Sequence, residues 1–117
     1  MIPSQRDIVL RLSELSKLLD AATVEVAELD EAAVTRKQAF EVAQARAFLA
    51  AEGPMDARKA QATLAAAVYS LAYELAAAKH RACRERINTL RSQLSIGQTL
   101  SAAVRAQFGA EAVGQWT

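Results

Sequence analysis

The sequence predicts an all-α protein: a long, coiled-coil-like antiparallel helical hairpin with a short C-terminal third helix, assembled into an oligomeric bundle. Three observations carry this expectation. First, 52% of the 117 residues are apolar but only 5% aromatic, and alanine, about a quarter of the chain, is the best helix former. Second, apolar residues recur in alternating steps of four and three over most of the length, the period of a helical seam. Third, the chain holds four Gly and two Pro, with Gly53 and Pro54 adjacent near its middle. Strong helix formers interrupted once by a turn signal make a helix pair.

The first helix is expected over about residues 4–51. Ser4 stands three residues before Asp7, a weak form of the capping box: the hydroxyl accepts an early N–H and the carboxylate suits the positive dipole end. From Ile8 the seam steps through Leu12, Leu15, Leu19, Ala22, Val26, Leu29, Ala33, Arg36, Phe40, Ala43, Ala47 and Ala50, with Arg36 its one polar stop. A turn is expected over 52–55, because Gly53 suits a left-handed C-terminal position and Pro54 opens a new helix without an N–H to satisfy. The second helix is expected over about 55–95, through Leu64, Val68, Leu71, Leu75, Ala78 and Ala82. The apolar line then shifts by one residue onto Cys83, Ile87, Leu90 and Leu94. Gly97 and the nearby hydroxyl side chains Ser95, Thr99 and Ser101 predict a new start and a short third helix over about 99–108. A tail over 109–117 follows, in which Val113 and Trp116 are docking candidates.

Closing the hairpin at Gly53 places residue i opposite a residue near 107 minus i. In that register Asp20, Glu25, Glu28, Asp30 and Glu31 lie opposite the stretch of Lys79, Arg81, Arg84 and Arg86. Formal charge follows the same division. Residues 1–53 carry −3, residues 54–105 carry +5, and Glu111 restores the total of +1. The near-neutral total excludes a uniformly basic nucleic-acid or membrane binder but leaves a basic segment. Exposed pairs contribute only about 0–1 kcal/mol each, so their expected role is to select the register.

Apolar residues off the seam need a cover, because a two-helix pair leaves most of each circumference in solvent. Leu18, Val34, Val42, Phe48, Leu49, Tyr69 and Tyr73 are the oligomer-interface candidates, with folding back of the third helix as the alternative cover. Self-association is the expected solution.

The chemistry-bearing residues are sparse. A single cysteine, Cys83, excludes an intrachain disulfide. His80 and Cys83, three apart, share a helical face, but two ligands do not complete a zinc site. No metal or cofactor is expected. No phosphate-cradling Gly loop, nucleophile elbow or His-Glu metal motif occurs, so the chain is not expected to be an enzyme. Arg6, Asp7, Arg11, Glu14 and Lys17 interrupt the first twenty residues. No apolar run approaches the roughly 20 residues of a membrane span, so a cytoplasmic protein is expected. Arg81, Arg84, Arg86 and Arg91 form the candidate phosphate-contacting set, a salt-dependent and sequence-independent mode. The competing reading is neutralisation by the acidic part of the first helix.

The stretches Ala45-Arg-Ala-Phe-Leu-Ala-Ala-Glu-Gly53, Ala57-Arg-Lys-Ala-Gln-Ala62, Arg84-Glu-Arg-Ile-Asn-Thr-Leu-Arg91 and Leu100-Ser-Ala-Ala-Val-Arg105 resemble small helical proteins of actinobacterial phages, especially mycobacteriophages. The resemblance implies a viral origin and a host-cytoplasmic location. Such proteins are often encoded near phage recombination functions, but as a group they have no established activity, and no functional residue carries over. Pro54 departs from the pattern, standing where a serine cap would follow the turn glycine. Secreted hairpins with a Trp-x-Gly bend are set aside, because the bend here is Glu52-Gly-Pro-Met55 and Trp116 lies in the tail. The leading expectation is a non-enzymatic phage binding or scaffolding protein that self-associates and has an unknown protein partner. The alternative is an accessory DNA-binding protein of phage recombination or repair.

Overall fold

The computed structural model describes the backbone of residues 4–116 and the side chains of residues 4–110. The fold is all-α: α1 (Gln5–Ala50), α2 (Met55–Ala65) and α3 (Ala67–Trp116), with long α1 and α3 packing together as a hairpin.

Ser4 caps α1 as the sequence predicts, its Oγ accepting the Asp7 backbone N–H at 3.1 Å. The helix then runs 46 residues without a break. At its end the Ala51 N–H bonds to the Phe48 carbonyl at 3.3 Å, tightening the last turn, and Gly53 takes φ +104°. That angle is open to glycine and costly for any residue with a Cβ. Pro54, extended at φ −61° and ψ 159°, opens α2 without a side-chain cap. The Gln61 side-chain amide donates to the Glu52 carbonyl at 3.1 Å and fastens the turn.

Past the turn the expected boundaries need correction. The second helix does not run unbroken over 55–95. Ala66, at φ −93° and ψ 1°, separates α2 from α3. The interruption is slight, because the Ala66 N–H still reaches the Ala62 carbonyl and the Ser70 N–H reaches the Ala66 carbonyl. Nor does a short third helix begin at 99. α3 continues through Gly97 and Gly109 for 50 residues. The Thr99 hydroxyl donates back to the Ser95 carbonyl at 3.0 Å, a helix-interior bond rather than a cap. The third helix therefore supplies no fold-back cover. The side chains of Val113 and Trp116 lie outside the described residues.

The chain divides into two compact units, each containing part of α1 and part of α3. The unit holding the chain ends comprises residues up to Val24 and from Glu85 onward. Its core is branched and aliphatic. Ile8, Leu15 and Ala22, seven residues apart on α1, are buried, as are Ile87, Leu90 and Val104 on α3. Ser101 is buried in the same line, and Leu12, Leu19 and Leu94 are half-buried. Gly97 sits against Leu12 so closely that a Cβ there would lie 2.6 Å from Leu12 Cδ2. The predicted helix breaker is thus a contact glycine.

The turn unit, Glu25–Arg84, is packed differently. Its buried apolar residues are Ala33, Ala62, Ala66 and Cys83, and Val26, Leu29, Phe40, Ala43, Ala47, Tyr73, Ala76 and His80 are half-buried. The predicted seam through Leu64, Val68, Leu71, Leu75, Ala78 and Ala82 is not the buried one, since all six are exposed. The inward line is Ala62, Ala66, Tyr73, Ala76, His80 and Cys83. It runs on through Ile87, Leu90 and Leu94 in the same phase, so the one-residue shift does not exist.

The register also moves. Asp30 Oδ1 meets His80 Nε2 at 3.7 Å in the turn unit, and Leu12 meets Gly97 in the other. These pairs have residue numbers totalling 110 and 109, against the predicted 107.

Candidate interaction surfaces

α2 and the first turns of α3 present two unlike sides. One, formed by Ala62, Ala66, Tyr73 and Ala76, faces inward with small or half-buried side chains. Leu64, Val68, Leu71 and Leu75 lie on the other side, 78%, 77%, 58% and 55% exposed. Helix geometry explains the division. Val68 follows Ala66 by two residues, and Leu71 and Leu75 flank Tyr73 by two, so each lies about 200° around the axis from its inward neighbour. Steps of four, three and four keep the four exposed residues on one stripe.

Of the residues predicted for an oligomer interface, Leu18, Val34, Val42, Leu49 and Tyr69 are exposed, while Phe48 and Tyr73 are half-buried. Val42 and Tyr69 line one open groove with Gln38, Ala39, Ala43 and Arg46. Phe48 lines another with Gln44, Lys59, Ala62 and Thr63. Tyr73 belongs to the inward line and is half-buried. Sequence periodicity missed the stripe from Leu64 to Leu75 by ranking residues on size. The available signal was phase: stepping back from Leu94 through Leu90, Ile87 and Cys83 by fours and threes arrives at His80, Ala76 and Tyr73, not at Leu75 and Leu71.

In the unit of the chain ends, an open apolar groove of about 470 Å³ lies among Ile8, Leu12, Leu15, Ile96 and Leu100, with Gly97 beside it. Arg81 and Arg84 are exposed in the turn unit, and Arg86 and Arg91 in the other. Asp30, expected among cationic partners, is met by His80 instead. Cys83 is 1% exposed, and among the described residues no three His, Cys, Asp or Glu are placed to hold a metal ion. Among the same residues no helix is long and apolar enough to cross a membrane. In comparisons with known proteins, the chain matches no family, no curated sequence and no solved structure.

Proposed function

We propose that this chain is a non-enzymatic helical binding or scaffolding protein that self-associates, a phage protein acting in the host cytoplasm. The observation that carries the reading is the inverted packing of the turn unit, whose buried apolar residues are alanines and one cysteine while Leu64, Leu71 and Leu75 face outward. A buried Leu contributes about 1.5–3 kcal/mol and a single methyl or methylene only about 0.8. Scaled by their exposure, covering Leu64, Val68, Leu71 and Leu75 would return about 4–8 kcal/mol per copy. Two copies contribute this twice, enough to offset much of the association cost of about 4–15 kcal/mol. Contiguous apolar surface of this kind marks interaction sites. The phage origin rests on the sequence resemblance. Light scattering across micromolar concentrations tests the assembly: a mass above that of one chain is expected, and a stable monomer would overturn the reading.

A second reading is contact with DNA phosphates by Arg81, Arg84, Arg86 and Arg91, favoured by the exposure of all four side chains. It expects DNA binding at low salt that weakens steeply as salt is added. Replacing the four arginines with Ala would abolish it. Absence of binding at low salt overturns this second reading and leaves the first intact.

A further inference from the structure

We propose that the stripe from Leu64 to Ala82 is one strand of a parallel, in-register, two-stranded coiled coil whose other strand is the same segment of a second copy. The inference rests on the self-association reading and names its face, its partner and its direction.

Assigning heptad positions to the exposed stripe places Val68, Leu75 and Ala82 at a, and Leu64, Leu71 and Ala78 at d, all exposed. Val at an a position with Leu at d favours two parallel strands over higher assemblies. The opposite side, Ala66 at the junction of α2 and α3 with Tyr73, Ala76 and His80 on α3, already faces inward within the chain. A second copy therefore approaches without disturbing the intramolecular packing. Ala65, Ala67 and Ala72 flank the stripe and put no bulk in the way of a partner helix.

One acid–base pair beside the stripe favours the parallel direction, while Arg81, the next g residue, has its e counterpart Arg86 beyond the last layer at Ala82. In this heptad Glu74 is a g residue and Lys79 is the e residue five positions later, and both are exposed. Parallel coiled coils bring a g residue against the e residue five positions on in the partner strand. Glu74 of each copy then faces Lys79 of the other, and two-fold symmetry makes the pair twice. With the same leucine layers in an antiparallel arrangement, Glu74 comes opposite the region of Ala67, and no such pair forms. The stripe lies within the turn unit and includes no residue of the chain-end core.

The test combines solution mass with three kinds of variant, each checked for retained helicity by circular dichroism. Leu71→Glu is expected to weaken self-association by on the order of 100-fold. Glu74→Lys and Lys79→Glu are each expected to weaken it by roughly 5- to 30-fold, since both symmetric pairs become repulsive. Mixing those two variants is expected to restore it as a heterodimer. Ala78→Cys is expected to form a covalent dimer on oxidation, because residue 78 meets its own copy in a parallel, in-register pair but lies far from it when the leucine layers pair antiparallel. A wild-type monomer at micromolar concentration overturns both the self-association reading and this inference. A wild-type dimer that survives Leu71→Glu, ignores the charge changes and leaves Ala78→Cys uncrosslinked keeps the reading and overturns the inference.

Discussion

Gly97 offers a direct measure of how closely the two long helices approach in the chain-end unit. In an exposed helix interior, Gly→Ala stabilises by about 0.8–1 kcal/mol through propensity alone. Here the added Cβ would stand 2.6 Å from Leu12 Cδ2 and 3.5 Å from Leu12 Cγ. The nearer atom is the end of a flexible side chain, so Leu12 gives way by leaving its rotamer well at about 0.5–1.5 kcal/mol. Gain and cost cancel to within about 0.7 kcal/mol. Gly97→Val has no such escape and is expected to cost about 1–3 kcal/mol by overpacking. With Leu12→Ala the obstruction is gone, and Gly97→Ala should recover the whole propensity gain. Urea unfolding of the four proteins of this cycle, followed by helical circular dichroism, measures the coupling, expected at about 0.5–1.5 kcal/mol. Equal stabilisation of about 1 kcal/mol by Gly97→Ala in both backgrounds would refute the close approach and return Gly97 to an ordinary weak helix residue.

Gly53→Ala forces a side chain onto φ +104° and is expected to destabilise by about 1–2 kcal/mol, read as a lower urea midpoint. Leu15→Ala, in the chain-end core, should cost about 2–5 kcal/mol. Leu64→Ala on the exposed stripe should leave the stability of the dilute protein within about 0.5 kcal/mol, so equal losses for the two would contradict the division into inward and outward leucines. The buried Cys83 thiol is expected to resist a thiol-reactive dye in buffer and to react at once in denaturing urea. Prompt reaction in buffer would place it outside the core.

Much of the fold was legible in the sequence, for reasons that differ along the chain. The first half gave its helix, its cap at Ser4 and its seam through Ile8, Leu15 and Ala22, because there a seven-residue apolar repeat coincides with the inward line, although Leu10, Leu18 and Leu49 face outward. The turn at Gly53 was legible because left-handed backbone and proline geometry are written in residue type. Beyond it the reading failed where size and burial part company. Leu64, Val68, Leu71 and Leu75 dominate any hydrophobicity pattern, yet alanines fill the interior beside them. Gly97 misled for a related reason: its local propensity argues for a break, while its lack of a Cβ makes room for Leu12, and packing outweighs about 1 kcal/mol of propensity. The candidate surface was legible only as a surplus of apolar residues; its location depended on knowing which stripe was already used.

The alanine-filled interior of the turn unit has a consequence for how the chain folds. A hairpin is cheapest to close from its bend, where contacting residues are near in sequence and loop entropy is small. In this chain those early contacts bring the least return, and the branched aliphatic cluster that rewards closure joins residues from opposite ends of the sequence, Ile8 and Leu15 with Ile87, Leu90 and Val104. Zipping must therefore cross a long, weakly rewarding stretch before it reaches the contacts that hold it, which slows folding relative to other helical proteins of this size. A partner strand laid along the bend-proximal leucines would deepen that shallow stretch, making the folding of this chain and its assembly a single, concentration-dependent event.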